Sequence, residues 1–374
     1  MKIVRQIFAD LPTSLLTFFL ITISFGQLQR VHLSNNIAFY GHDLLILLFI
    51  IWWLINNHLK IKIKNWQSYK LELLMIVVVL FGMLIGLFEN RVGPKSFLYL
   101  FRIISYSFFV WSLNKTKFKY DKKIGFMLVG LAIAIWGLLQ YFLMPDTRFL
   151  NIFGWDNHYY RLISTTLDPA FTGMILAIAF GWWQIFIIQI ILIIAIVATF
   201  SRASYLALAI ILTWKWLKDK NWKWILLGGI AILTLLILPK PGGEGVNLNR
   251  TSTIEARGVN SKEALISLNG TQWLWGRGLF NSDAEKESYT NNHAQLPDSF
   301  PIMLINAVGI IGVVVFIFLL KKWLPLLWQE NQLWTILLLA TFIHGLFNNT
   351  LLQPFVFLML WGTKNINKKV SSGN

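Results

Sequence analysis

Twelve apolar runs, most of them 16–22 residues long, recur along this chain, near residues 11–27, 42–56, 71–88, 96–113, 124–144, 168–183, 184–199, 203–218, 223–239, 299–320, 333–347 and 350–363. A helix needs about 20 apolar residues to cross the ~30 Å hydrocarbon layer of a bilayer, and lipid offers the backbone no partner, so each crossing segment must satisfy its own hydrogen bonds. Only 13% of the 374 residues are charged, against about 25% in soluble domains. The expected fold is therefore all-α, a polytopic helical bundle of about twelve transmembrane helices.

The links between the runs sort by charge. One set is rich in lysine: "HLKIKIKNWQSYK" (58–70), "NKTKFKYDKK" (114–123), "KWLKDKNWK" (215–223), "KKW" (321–323) and "KNINKK" (364–369). With these and both termini in the cytoplasm, twelve spans satisfy the positive-inside rule throughout. The start, "MKIVRQIFADLPTSLLTFFL", is basic and then apolar but lacks a small-x-small cleavage site, so a retained first helix is expected. The net charge of +16 is dispersed in short clusters rather than gathered in one block, which argues against nucleic acid as a partner and leaves membrane lipids as the surroundings. No cysteine is present, so disulfide and thiolate chemistry are excluded.

Eight of the ten arginines, namely Arg30, Arg91, Arg148, Arg161, Arg202, Arg250, Arg257 and Arg277, fall on the opposite, external side of this topology. Lysine inside is the topology signal; arginine outside needs another cause. Guanidinium is a planar fork that grips phosphate or carboxylate through two bonds. Arg202 is the sharpest case, alone in the apolar stretch from Gln184 to Trp214, where a charge costs at least ~2.5–3.5 kcal/mol. Parity demands three spans between the external loop 145–167 and the cytoplasmic 215–223. Arg202 then sits at a tight external turn between two helices of only about 24 Å each, sunk below the membrane surface and inside protein.

Two external segments are long. In 145–167, aromatic residues surround Arg161, and Asp168-Pro169 then reads as a helix N-cap followed by proline in the first turn. Residues 240–298 open on a glycine-rich linker, continue through a surface helix over 253–268 and a glycine-punctuated turn, "GRG" (276–278), and cannot bury a core alone. The six histidines are dispersed, with no metal-ligating spacing, Walker loop or dinucleotide fingerprint; neither a metal nor a cofactor is expected.

The succession "RLISTTLDPAFTG" (161–173), "FSRAS" (200–204), "ARGVNSKEALISLNGTQWLWGRGLF" (256–280) and "DSFPIMLINAVGIIGVVVF" (298–316) resembles the O-antigen ligase and polymerase superfamily of bacterial membrane glycosyltransferases. The resemblance spans about 161–316. It implies a GT-C-like helical membrane fold, with N-terminal transmembrane helices over 1–144, a ligase-related core over 145–320 containing the external loop 240–298, and C-terminal helices with a cytoplasmic tail over 321–374. It also implies the function: metal-independent transfer of a glycan from an undecaprenyl-diphosphate carrier to an acceptor sugar, on the outer side of the bacterial cytoplasmic membrane, alongside other polysaccharide-assembly proteins. Carried over motif by motif, Arg161, Arg202 and Arg257 face the diphosphate, whereas Arg277 matches no required arginine.

The sequence departs from the family at one point. Where ligases commonly carry a His-Asn pair, eleven residues before the first glycine of "GIIG", this chain has Asp298-Ser299, and the nearest histidine is His293, five residues earlier. Either Asp298 takes the acceptor proton, or His293 does so from the loop, or the reaction runs without a base. Two other classes remain as alternatives: a transporter or flippase of the same lipid-linked sugar, and a non-catalytic subunit of a cell-surface assembly.

Overall fold

The computed structural model describes residues 10–34, 37–57, 69–241, 245–249, 251–281 and 297–364. Each of the twelve apolar runs contains a helix: α1 Leu11–Ser24, α2 Gly41–Asn57, α3 Lys70–Phe88, α4 Pro94–Lys115, α5 Lys122–Leu143, α6 Pro169–Trp182, α7 Phe186–Ala198, α8 Arg202–Asp219, α9 Lys223–Ile237, α12 Phe300–Glu330, α13 Gln332–Gly345 and α14 Pro354–Gly362. The helix expected over 253–268 is α10, Ser252–Ile266, followed by the short α11, Gly270–Trp275. Among the described residues, α3, α4, α5 and α12 are long and apolar enough to cross a membrane, and six further apolar helices are shorter. The chain is a nearly all-helical membrane protein.

The centre of the bundle is α6, whose residues Met174 to Phe180 are fully buried. Small residues let its neighbours approach: a Cβ on Gly130 of α5 would meet Ala179, and one on Gly173 would meet Ser204 of α8. Such small-residue contacts are how helices associate where no hydrophobic effect drives them together. At the periphery, α3 turns Ile76, Val77, Leu80 and Leu84 outward, the pattern of a face that meets lipid.

Two features differ from expectation. Residues Arg30–Ser34 (β1) and Ile37–Tyr40 (β2) form an antiparallel hairpin between α1 and α2, so the fold is not purely α. Side chains from both ends of the hairpin hold it down: Gln29 Oε1 accepts from the His42 amide at 2.9 Å, and the Tyr40 hydroxyl donates to Gln27 at 2.8 Å. The second difference is α12, which runs to Glu330, beyond the expected end near 320. The lysines at 321–322 end the apolar run but not the helix, because Lys322 and Trp323 both bond Glu72 on α3, at 2.7 and 3.0 Å.

Arg102, the arginine within a span, is paired. Its Nη2 lies 2.7 Å from Asp43 Oδ2 and its Nε 3.2 Å from Oδ1. The Tyr106 hydroxyl donates to the same carboxylate at 2.6 Å, and the Tyr40 amide at 3.1 Å. This cluster ties α2, α4 and the hairpin together. Breaking a buried pair on one side strands the other charge at about 3–5 kcal/mol. Asp43→Ala is therefore expected to lower the melting temperature of the detergent-solubilised protein sharply, and Asp43→Ala with Arg102→Met to recover much of the loss.

The charges segregate by end. Lysine-rich termini of helices meet one another through Lys122 Nζ to the Lys364 carbonyl at 2.7 Å, Lys364 to Glu330 at 3.1 Å and Lys223 to the Gln184 carbonyl at 3.1 Å. At the other end gather the hairpin, the 145–167 segment, α10, α11 and the 346–353 connection: Arg30 lies over Trp155 at 5.5 Å, and Ser96 donates to the Phe280 carbonyl at 2.8 Å.

Candidate functional site

The arginine-bearing end is built around the turn joining α7 to α8. Thr199, Phe200 and Ser201 are all buried, with Phe200 in the left-handed region at φ 48°. Ser201 caps α8, accepting from the Ser204 amide at 3.3 Å, and Arg202 is the first residue of that helix. The turn is sunk within protein, and the helix that leads into it, α7, has only 13 residues. The buried Arg161 crosses beneath it, donating from Nε to the Thr199 carbonyl at 3.0 Å and from Nη2 to Phe200 at 3.5 Å. Its charge thus sits at the carbonyl end of α7, where a helix dipole favours a cation. With Nε and Nη2 so engaged, Arg161 offers an anion its positive field more than an open fork.

The segment 245–249 covers both arginines. Gly245 packs on the Arg161 side chain, and Arg202 Nη1 donates to the Leu248 carbonyl at 3.2 Å. The chain then enters α10, which carries Arg257 to Asp298. Arg257 Nε stands 3.3 Å from Asp298 Oδ2, each side chain about two-fifths exposed, and Arg257 Nη2 donates to Asn348 Oδ1 at 3.2 Å. Burial raises the Asp298 carboxyl above the usual carboxylate range and the nearby Asp156 adds to that, while Arg257 opposes it. The result is a reachable guanidinium beside a carboxylate of increased basicity. Asp168 takes the N-cap role, accepting from the Phe171 amide at 2.8 Å.

Of the residues singled out in sequence, Arg161 and Arg202 meet at one turn, and Arg257 and Asp298 form one ion pair. His293 lies outside the described residues. Sequence reading missed Asn348 and the polar pair Ser204 and His344, whose Oγ and Nε2 are 3.2 Å apart. The available signal was the polar triplet Asn348-Asn349-Thr350 where the last two apolar runs meet, together with a serine and a histidine inside apolar runs.

Arg277, the arginine set aside, has an architectural place. α12 is broken at Gly309 (φ 65°, ψ −172°), which frees carbonyls one turn before. The amides of Arg277 and Gly278 donate to the Asn306 and Ala307 carbonyls at 2.9 and 3.0 Å, and Arg277 Nε donates to Asn306 Oδ1 at 2.9 Å. The "GRG" turn and the first glycine of "GIIG", separate in sequence, are one junction that seats the loop in the broken helix. A Cβ on Gly276 would strike Ala307, and one on Gly309 would strike the Leu274 carbonyl.

Scans against protein-family models, curated proteins and solved structures return no match for this chain.

Proposed function

We propose that this chain is a membrane glycosyltransferase that moves a glycan from an undecaprenyl-diphosphate carrier to an acceptor sugar at the outer face of the bacterial cytoplasmic membrane, as a polymerase or ligase of surface polysaccharide. The observation that carries the reading is the Arg257–Asp298 pair, 3.3 Å apart and partly exposed, at the same end of the bundle as Arg202. Twelve crossings, a GT-C-like fold and cytoplasmic termini belong to the same proposal.

In the mechanism, the acceptor hydroxyl attacks the anomeric carbon of the lipid-linked sugar. The bond from that carbon to the diphosphate oxygen breaks, and its electron pair leaves with the diphosphate. The acceptor proton passes to Asp298. Arg257 and Arg202 meet the charge that builds on the leaving group, and Arg161 adds field from below. Donors fixed in place beforehand are the most effective way to stabilise such charge.

This assignment of the base sets a pH dependence. Asp298 must be ionised to accept a proton, and its pKa is raised, so transfer is expected to be full above that pKa and to fall as pH drops through it, at a pH above the ordinary aspartate value of ~3.9. Asp298→Asn is expected to leave a slow residual rate without this acid limb. An unchanged limb in the variant would give the base role to another group.

A second reading, transport of the same lipid-linked sugar, draws support from the break in α12 at Gly309, since discontinuous helices are common at transporter sites. The assay that separates the two uses detergent-solubilised protein with lipid-linked oligosaccharide and an acceptor. An enzyme produces a ladder or mobility shift on a gel with no sealed compartment present; a transporter produces neither, yet moves the lipid across reconstituted vesicles.

A further inference from the structure

We infer that Asn348-Asn349-Thr350, the turn between α13 and α14, is a positioning device that holds the two arginine-bearing platforms in register; the inference rests on the glycosyl-transfer reading above. Three consecutive side chains each reach a different element. Asn348 Oδ1 accepts from Arg257 Nη2 on α10 at 3.2 Å. Asn349 Nδ2 donates to the Pro297 carbonyl at 2.5 Å, immediately before Asp298. Thr350 Oγ1 is 2.6 Å from His344 Nδ1, and the far nitrogen of that imidazole is 3.2 Å from Ser204 Oγ, two residues beyond Arg202 in the first turn of α8.

The turn itself has little freedom. Thr350 begins a short 3-10 turn, Thr350–Leu352, and Gln353 then caps α14 by accepting from the Val356 amide at 2.7 Å. Asn348 is 7% exposed, and His344 and Thr350 are fully buried. Buried polar groups stay in place because losing a partner costs the full desolvation of what remains. A displacement at any one of the three residues is thus transmitted to Arg257, to the approach to Asp298, or to the helix that starts at Arg202. A general stabilising role would need no such division of labour among neighbours.

The test uses the full-length protein in detergent with Asn348→Leu and Thr350→Val, and with Asn348→Asp and Thr350→Ser as variants that restore an acceptor or a hydroxyl. Loss of position far from the reacting bond can cost up to ~10²-fold, and here each disrupting variant is expected to lower kcat/KM per folded molecule about tenfold, a loss larger than its fall in melting temperature accounts for, while eluting like the wild type. The restoring variants are expected to recover most of that loss. On an Arg257→Ala background, Asn348→Leu is expected to add almost nothing, because both changes remove one coupled unit. A second readout is the rise in melting temperature caused by inorganic pyrophosphate, expected in the wild type and lost in Asn348→Leu.

Wild-type rates in Asn348→Leu and Thr350→Val, losses that only track the fraction folded, or independent multiplication with Arg257→Ala would each overturn the inference while leaving glycosyl transfer standing. A wild type that transfers no glycan overturns the glycosyltransferase reading, and the pyrophosphate shift then decides the positioning role alone. With neither transfer nor shift in the wild type, both fall.

Discussion

Arg257→Ala and Arg202→Ala are each expected to reduce glycan transfer by ~10²–10³-fold, the usual loss when one fixed donor to a developing negative charge is removed, with the protein still present in the membrane at wild-type amount. Surrounding contacts differ between the two residues, and so do the expected details. Arg257 is held by Asp298 at 3.3 Å and Asn348 at 3.2 Å, so its removal also leaves Asp298 without the charge that opposes its raised pKa. The acid limb of any residual activity is then expected to move to higher pH. Arg202 has one Nη bonded to the Leu248 carbonyl. Arg202→Lys gathers its donors on one nitrogen and cannot present a planar two-bond fork to an anion, and is expected to remain well below wild type. Near-full activity in Arg202→Lys would remove the two-bond part of the argument. Steady-state rates across a pH series, normalised to protein in the membrane fraction, check all three variants.

The second large effect is expected at Gly309. Its backbone lies in the left-handed region at φ 65°, and a Cβ there would strike the Leu274 carbonyl. Valine at such a backbone position costs ~1–3 kcal/mol in strain, and forcing its volume against the loop adds ~1–3 kcal/mol. Gly309→Val is expected to dislodge the α11–Gly278 junction from the break in α12, lowering the melting temperature and opening the loop near Arg277 to protease. Gly309→Ala is expected to do the same to a lesser degree. If Gly309→Val melts like the wild type, the loop is not seated on that break.

The two cases show what local sequence could and could not convey. Apart from the far end of α12, the apolar runs placed the helices to within a few residues because hydrocarbon length and backbone satisfaction leave a segment such as 124–144 little choice; α5 is Lys122–Leu143. The tight turn before Arg202 was also legible, and its residues Thr199, Phe200 and Ser201 are buried within protein. Contacts that join distant segments were not legible. Nothing in "DSFP" says that Asp298 meets Arg257, nothing in "GRG" says that it lies on Gly309, and nothing near Arg102 points to Asp43. The hairpin at Arg30–Tyr40 escaped because eleven residues with no strong alternation between two apolar runs read as a plain link. Nor could the motif around Arg161 show that the neighbouring carbonyls at 199 and 200 engage two of its nitrogens. Asn348 and His344 stood out only as polar residues beside or within apolar runs, and their partners, Arg257 and Ser204, come from other elements that the bundle brings to them.

The proposed mechanism stands on the arginine-bearing end facing outward and gripping a diphosphate, and cysteine accessibility measures this most directly. The chain contains no cysteine, so a single one introduced at the exposed Asn249, next to the Leu248 carbonyl that Arg202 bonds, gives a unique label site, with Lys117→Cys on the lysine-rich end as its control. An impermeant maleimide is expected to modify position 249 in intact cells, more slowly when lipid-linked diphosphate is abundant, and to modify position 117 only after lysis. Modification of 117 in intact cells with 249 reached only after lysis would turn the arginines to the cytosol and contradict the proposed function.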